Sequence, residues 1–513
     1  MSKLKVDMRN LVYKLCEGRE VPLLVTDMIA ELLVHRDLFH INTLSRTLNA
    51  QANAIIYRDV VVDLDGTNRS VEKASLLFRT LLTSKTAARA VNRLSLAGDP
   101  LQDWRTSLVF ETRGESIERP LRGMTPPVMH ADFTDFTKEE IELYGHISAL
   151  SSSESASPRT NVLSIWAVWL YIFRIMPNIQ DFSVSSDYFR FPGFRSILQG
   201  MVRNSSIAKL RSCNLCLDLP DGKQRHIGVV EGWDDAVLSL FAVPNIQSIA
   251  AVVNLKSHAV RQLRPGGSSV TRLELHHWQT RDIDVSPLLA ATQSLRYLKY
   301  HITTHYQHLD AHPGVGLEFI YDALHHVSDS LQELHISQDV DEDSYHYSPG
   351  FGAGYEPLFR RTAELSTMKR LHTLTIPYMA LLGCARKDYA CDWGRALPSS
   401  IRHIVLNDDL DEIYQEEPWT DENLMPVFSR LVEWLSVAKR GIQAADFGLH
   451  LAQLDNDFNE PVRQELTRMC EERGVRCSIV KVLADRQRSP QVWNPRGRGR
   501  GNLTRGRGRG RGA

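Results

Sequence analysis

A short pattern of apolar and polar positions recurs along the chain from about residue 90 onward. Each copy has an aliphatic residue, two spacers, an apolar residue, one spacer and a third apolar residue. Copies occupy residues 91–96, 179–184, 270–275, 295–300, 331–336, 371–376 and 401–406, with weaker ones at 210–215 and 246–249. The last two apolar positions alternate with a spacer, as in a strand that buries one face. The pattern therefore predicts a series of short strands.

Segments with helical spacing lie between these copies. In residues 316–328, for example, Leu317, Ile320 and Leu324 would share one helical face. From Ile249 to Ile404, the middle positions follow each other at steps of 24, 25, 36, 40 and 30 residues. The first two steps are typical of leucine-rich repeats, which this region resembles, and the others require insertions. The resemblance implies an irregular solenoid over residues 75–483, with a doubly wound α/β domain as the alternative.

The N-terminal segment 21–60 has a different pattern. Its apolar residues recur at helical spacing, and Asp37 is suited to cap a helix because its short side chain can accept from unpaired backbone amides. The spacing predicts two or three short amphipathic helices. A unit of about 40 residues cannot bury a full core alone, so it is either the edge of a larger domain or a docking module.

Residues 21–60 also carry a motif pattern. Val21-Pro22 is followed fifteen residues after the proline by Asp37-Leu38, then by Leu44-Ser45-Arg46 and by residues 56–60, IYRDV. This pattern resembles the F-box of fungal F-box proteins with leucine-rich repeats. Leu24 departs from it, because an acidic residue usually stands there and belongs to the docking surface of the family.

The resemblance implies a role without chemistry of its own. The chain would be the substrate-recognition subunit of a Skp–cullin–F-box ubiquitin ligase, with a Skp-type adaptor and a cullin scaffold as partners and an unknown protein as substrate. The expected adaptor anchors are Pro22, Val25, Ile29, Leu33, Leu38 and Leu44. Tyr57 and Arg58 would join this module to the repeats, whose concave face and inserted loops would select the substrate.

Charge is distributed unevenly along the chain. The net charge is −1, yet residues 496–513 hold seven arginines and no acid. These arginines alternate with glycine: Arg496, Arg498, Arg500, Arg505, Arg507, Arg509 and Arg511. Glycine opposes packing and arginine stays charged, so residues 484–513 are expected to form a disordered cationic tail. The tail resembles the Arg-Gly tails of RNA-associated proteins and predicts contact with RNA or an acidic partner.

Several classes of function lack support in the sequence. Catalytic signatures such as Gly-x-Ser-x-Gly, a Walker loop or His-Glu-x-x-His are missing. Cys213 and Cys216 form half of a zinc-ligand pattern, but they lie within a strand copy and have no second pair, which favours core residues. His301, His305, His308 and His312 recur at near-helical steps, but they directly follow a strand copy, which favours a loop. We therefore expect no metal and no cofactor.

Composition is typical of a globular protein in a reducing compartment. Seven cysteines without a recognisable signal peptide argue against a disulfide framework. The longest apolar run, residues 162–173, is too short to span a membrane and suits a buried helix. The expected location is the nucleus, the cytoplasm or both.

The complete expectation is an α/β protein with three parts. An N-terminal helical F-box module would occupy residues 21–62, an irregular leucine-rich-repeat-like solenoid residues 75–483 and the disordered tail residues 484–513. The alternative function is that of an RNA-associated scaffold acting through the tail, in which the N-terminal helices would only cap the solenoid.

Overall fold

A computed structural model of the chain describes its central part in segments. The described residues are 55–64, 77, 80–81, 84–98, 110–111, 162–163, 173, 176–185, 198–202, 207–216, 233–253, 263–278, 285–305, 317–341, 365–382, 392–408, 421–438, 445–451 and 460–481.

The described residues form one large sheet and one small one. The twelve strands of the large sheet are β1 (Asp59–Leu64), β2 (Arg93–Gly98), β5 (Asp181–Val184), β6 (Ser212–Asn214), β7 (Ser248–Val253), β8 (Arg272–Trp278), β9 (Tyr297–His305), β10 (Glu333–Asp341), β11 (Thr373–Pro377), β12 (His403–Asn407), β13 (Asp446–Leu451) and β14 (Arg476–Lys481). They lie side by side in chain order and every pairing is parallel. Strands β3 (Phe110–Glu111) and β4 (Val162–Leu163) form a separate antiparallel pair.

Helices alternate with these strands. They are α1 (Lys85–Ala90), α2 (Trp233–Leu240), α3 (Ser286–Ala291), α4 (Leu317–Ala323), α5 (Tyr378–Leu382), α6 (Trp393–Ala396), α7 (Asp421–Ala438) and α8 (Glu460–Glu472), with a 3-10 turn at Leu324–Val327. Each turns the chain so that the next strand can start at the same edge as the last one. Their apolar faces and one face of the large sheet share a single hydrophobic core.

The middle residues of the nine pattern copies lie in register across the sheet with three residues from strands that have no full copy, Val60, Phe447 and Cys477. Every one of them is buried except the last, Cys477, which is partly buried: Val60, Leu94, Phe182, Cys213, Ile249, Leu273, Leu298, Leu334, Leu374, Ile404, Phe447 and Cys477. We call this set the core column. Each side chain in it packs on its neighbours about 4.8 Å away, so the apolar surface is continuous along the sheet.

The end of α8 shows how a helix passes directly into the next strand. Gly474 follows the helix with φ +68, a conformation that is strained for residues with a Cβ. The carbonyl of Cys470 accepts from the amides of Arg473 and Val475 at 3.1 and 2.9 Å. These bonds close the helix and place β14 beside it.

The predicted fold class, an N-terminal helical F-box followed by an irregular leucine-rich-repeat-like solenoid, is wrong. The described residues have an α/β fold in which one all-parallel sheet of twelve strands alternates with helices. The connections explain the difference, because some of them are full helices: α7 has 18 residues and α8 has 13. The expected disorder of the tail concerns residues outside the described part.

The boundary of the predicted helical module also changes. Residues 59–62, which that module included, belong to β1 and pair with β2. The sequence DVVVDL explains this, because β-branched valines favour a strand and Val60 and Val62 are buried on the same face. Residues 21–54 lie outside the described residues, as does the tail 484–513.

Candidate interaction surface

The second face of the large sheet is polar. Side chains that alternate with the core column point away from the core, and we call this surface the open face. Its first row contains the residue before each member of the core column: Asp59, Arg93, Asp181, Ser212, Ser248, Arg272, Tyr297, Glu333, Thr373, His403, Asp446 and Arg476. All are partly or fully exposed. Parallel sheets are usually covered on both faces, so a polar row of this length indicates a surface available for contact.

At the β1 end, charged residues of the open face pair with each other. Arg93 Nε lies 3.0 Å from Asp181 Oδ2 and 3.8 Å from Asp59 Oδ1, and all three side chains are well exposed. In the next row, the hydroxyls of Ser95 and Ser183 are 3.1 Å apart. Exposed ion pairs of this kind stabilise a protein by less than about 1 kcal/mol, so their main effect is to hold the side chains in place.

The centre of the open face is aromatic and charged. The Arg272 guanidinium lies 3.6 Å above the centroid of the Tyr297 ring and also contacts Glu274 at 2.5 Å. The Tyr297 ring is in turn 5.1 Å from the ring of His335. Burial raises the pKa of Tyr297, with the Glu274 carboxylate adding to the effect. The tyrosine is therefore a neutral hydroxyl that can donate to a partner.

His335 is held in its neutral form. Burial lowers its pKa more than the nearby Glu333 carboxylate, at 3.8 Å, raises it. Its Nδ1 lies 3.0 Å from the Thr375 hydroxyl, within hydrogen-bond distance. The side chain is thus fixed by neighbours on two strands and presents a defined polar edge.

At the β14 end, the Asp446 carboxylate lies between an arginine and a histidine side chain. It contacts Arg476 at 2.5 Å and His403 at 3.7 Å. In the neighbouring row, Val405 is 4% exposed. A Cβ added at Gly448 would lie only 3.2 Å from Cγ2 of Val405. The absence of a side chain at Gly448 leaves room for the buried Val405 in the second row of the open face.

Buried polar side chains collect at the carboxyl ends of the central strands. His301 Nδ1 lies 2.8 Å from the Ser337 hydroxyl and its Nε2 lies 3.4 Å from Thr303, while its ring is 5.5 Å from that of His276. Gln338 is 3% exposed in the adjoining strand. In parallel α/β sheets ligands commonly bind at this edge. Within the described segments, however, no group of three or more His, Cys, Asp or Glu is arranged to hold a metal ion.

The cysteines and histidines considered in the sequence lie on strands or beside them. Cys213 belongs to β6 and Cys216 follows that strand closely; both are buried free thiols. Burial raises the pKa of each, which makes them poor nucleophiles. His301 and His305 lie in the strand β9, so the expectation of a loop is wrong for these two. Their spacing of four residues does not place them on a helical face, because the segment is not a helix. His308 and His312 fall outside the described residues.

The predicted binding residues cannot be placed on this surface. Pro22, Val25, Ile29, Leu33, Leu38 and Leu44 lie outside the described residues, as do the seven tail arginines from Arg496 to Arg511. Tyr57 and Arg58 were expected to join the N-terminal module to the repeats. Tyr57 packs against the core, and the Arg58 carbonyl accepts from the amides of Asn92 and Arg93 at 2.9 Å. These two residues lead the chain directly into the sheet.

Sequence reasoning overlooked the open face itself. Arg272, Tyr297 and Glu333 all occupy the second spacer of the repeated pattern, which we passed over in favour of the apolar positions. The signal was available, because this spacer is charged or aromatic in several copies. It could have been found by aligning the copies and comparing their spacers.

Sequence comparisons with protein families and curated proteins identify no relative of the chain. No protein-family model matches the chain, and no curated protein gives a significant match. Among the described helices, none is both long and apolar enough to cross a membrane.

Proposed function

We propose that the chain is a non-catalytic recognition subunit of a Skp–cullin–F-box ubiquitin ligase. In this proposal residues 21–54, the part of the predicted module that precedes the sheet, bind a Skp-type adaptor that connects to the cullin scaffold, and the open face binds a protein substrate. The polar open face is the observation that carries the proposal. Twelve strands about 4.8 Å apart give it a length of roughly 50 Å, which suits an extended contact with another protein.

The chemistry of the open face supports recognition rather than catalysis. Its charged groups are largely paired with each other, as in Asp59, Arg93 and Asp181. Arg272 stacked on Tyr297 is the kind of anchor that dominates protein interfaces. A recognition subunit needs no reactive group, because it acts by raising the local concentration of substrate near the conjugating enzyme.

Co-purification of a Skp-type adaptor with the full-length chain tests the adaptor half of the proposal. Leu33→Asp should reduce retention by about fivefold to 150-fold, because a buried interface anchor contributes roughly 1–3 kcal/mol. The matched control is Val437→Asp, which places the same charge at a side chain that is 54% exposed on α7. Failure of the unaltered chain to retain any Skp-type adaptor would refute the proposal.

The substrate half is tested on the open face. Proteins retained by the unaltered chain should be lost from an Arg272→Ala/Tyr297→Ala variant, while the adaptor stays bound. Retention of the same proteins by this variant would move the substrate site away from the open face. The substrate complex is expected in the nucleus, the cytoplasm or both.

The Arg-Gly tail favours a second candidate, an RNA-associated scaffold. Seven arginines in residues 496–513 provide charge for phosphate contacts without fixed geometry. Deletion of residues 496–513 should then abolish RNA retention at low salt, and retention by the full chain should fall as salt rises. RNA retention that is unchanged by the deletion and insensitive to salt would refute RNA binding by the tail.

A further inference from the structure

A row of side chains lies at the amino ends of the twelve strands, one residue before the first row of the open face. Its members are Arg58, Asn92, Gln180, Arg211, Gln247, Thr271, Arg296, Gln332, His372, Arg402, Ala445 and Val475. We call this set the amino-edge row. It contains four arginines and no carboxylate, although the chain as a whole has slightly more acidic than basic residues.

The arginines of the amino-edge row recur at every third strand. Arg58, Arg211, Arg296 and Arg402 precede β1, β6, β9 and β12, which are the first, fourth, seventh and tenth strands in the sheet. With strands about 4.8 Å apart, successive arginines are separated by roughly 14 Å. The positions between Arg211 and Arg402 are occupied by amide, hydroxyl and imidazole side chains, which can donate hydrogen bonds.

Three of these arginines are available to a partner. Arg211, Arg296 and Arg402 are exposed, and within the described part of the chain none of them forms an ion pair. Their backbones are fixed nonetheless. The carbonyl of Arg211, for example, accepts from the amides of Gln247 and Ser248 at 2.7 and 3.0 Å. The row therefore presents charged groups at set intervals.

A shallow cavity of about 340 Å³ adjoins Arg211. Its lining includes Gln180, Lys209, Arg211, Asn245, Gln247 and Thr271, and the described lining residues include no carboxylate. Lys209 is oriented by the Asn178 side-chain oxygen, 2.6 Å from its ammonium group. Two cations among amides and hydroxyls form an environment that favours a carboxylate or a phosphate.

We propose that the amino-edge row binds an extended acidic segment of a partner protein, with carboxylates on Arg211, Arg296 and Arg402. An extended chain rises about 3.4 Å per residue, so acidic residues at every fourth position match the roughly 14 Å between arginines. This inference rests on the proposed function, since it adds to the open face a neighbouring contact for an acidic segment of the same protein substrate.

Neighbouring acids favour a peptide over a nucleic acid. The first row of the open face, adjacent to the amino-edge row, contains Asp59, Asp181, Glu333 and Asp446. A nucleic acid carries a charge on every phosphate and would pass these carboxylates with repulsion. A peptide can place its carboxylates opposite the arginines and neutral residues opposite the acids.

Fluorescence anisotropy with the full-length chain tests the proposal. The probe is a labelled peptide with three glutamates at every fourth position in a Gly/Ser background. Comparison ligands are a peptide of the same composition with adjacent glutamates and a uridine oligonucleotide of twelve residues. We expect the spaced peptide to bind more tightly than either. Arg211→Gln/Arg296→Gln should weaken its binding about tenfold, because two bidentate charge-assisted contacts are lost.

A charge-matched variant separates the row from the overall charge. Lys85→Gln/Arg430→Gln removes two exposed cations from α1 and α7 and should leave binding within about twofold of the unaltered chain. Equal loss in both variants, equal binding of the two peptides, or no measurable peptide binding would overturn the proposal. Tighter binding of the oligonucleotide that depends on Arg211 and Arg296 would also overturn it and assign the row to phosphates. None of these readouts involves the adaptor, so failure of the adaptor test leaves the peptide result intact.

Discussion

The two faces of the large sheet come from the same strands but follow different rules. On the core face, Leu298 and Leu334 are at most 1% exposed and repeat the same kind of residue from strand to strand. On the open face, their neighbours Tyr297 and Glu333 differ in size and charge, although they also lie side by side. Packing demands repetition because each strand must fill the same space, whereas recognition demands variety. The difference predicts that stability resides on the core face and, under the proposed function, that specificity resides on the open face.

The sharpest test of this division compares two consecutive residues of β7. Ile249→Ala should lower the free energy of unfolding by about 2–5 kcal/mol, because it leaves a cavity at a fully buried position of the core column. Ser248→Ala, one residue earlier on the open face, should change it by less than about 0.5 kcal/mol. Urea unfolding followed by circular dichroism measures both. Similar losses for the two variants would mean that the open face also carries stability.

A smaller effect is expected where the core contains a polar contact. The indole Nε1 of Trp233 on α2 donates to the Val252 carbonyl at 2.8 Å, and both residues are buried. Trp233→Phe removes this donor and part of the ring, and should cost about 1–3 kcal/mol in urea unfolding. The control is Trp434→Phe on the partly buried side of α7, for which a smaller loss is expected. An undiminished unfolding free energy for Trp233→Phe would show that the contact adds nothing to packing.

The same division explains what could be predicted from the sequence. All nine copies of the apolar pattern overlap strands of the large sheet, because burial imposes the same residues each time. The fold class inferred from them was wrong, since the pattern does not specify what connects the strands. β1, β13 and β14 were overlooked because Val60, Phe447 and Cys477 stand in sequences without a full copy. The open face was overlooked as well, because its pairings join residues far apart in sequence, such as Arg93 and Asp181.

The ion pairs of the open face should contribute less than either core contact. A double-mutant cycle with Arg93→Ala and Asp181→Ala should give a coupling energy of about 0.2–1 kcal/mol, because both side chains are exposed and screened. Raising the salt concentration should reduce it further. The measurement is urea unfolding of the two single variants, the double variant and the unaltered chain. A coupling well above this range would assign the open face a structural role.

The smallest expected effect is the pH dependence contributed by His335. Burial lowers the pKa of this residue in the folded chain, so the unfolded chain takes up its proton first as pH falls. The stabilisation is therefore complete above the ordinary histidine pKa of about 6.5 and is lost as pH falls through the lowered folded value. His335→Gln cannot titrate, so the difference in unfolding free energy between the unaltered chain and this variant should grow from about pH 5 to about pH 7. Loss of the Thr375 contact shifts that difference by the same amount at each pH and leaves its slope unchanged. A flat difference would mean that His335 is as accessible to protons in the folded chain as in the unfolded one, and the open face would then be more fully hydrated than its packing indicates.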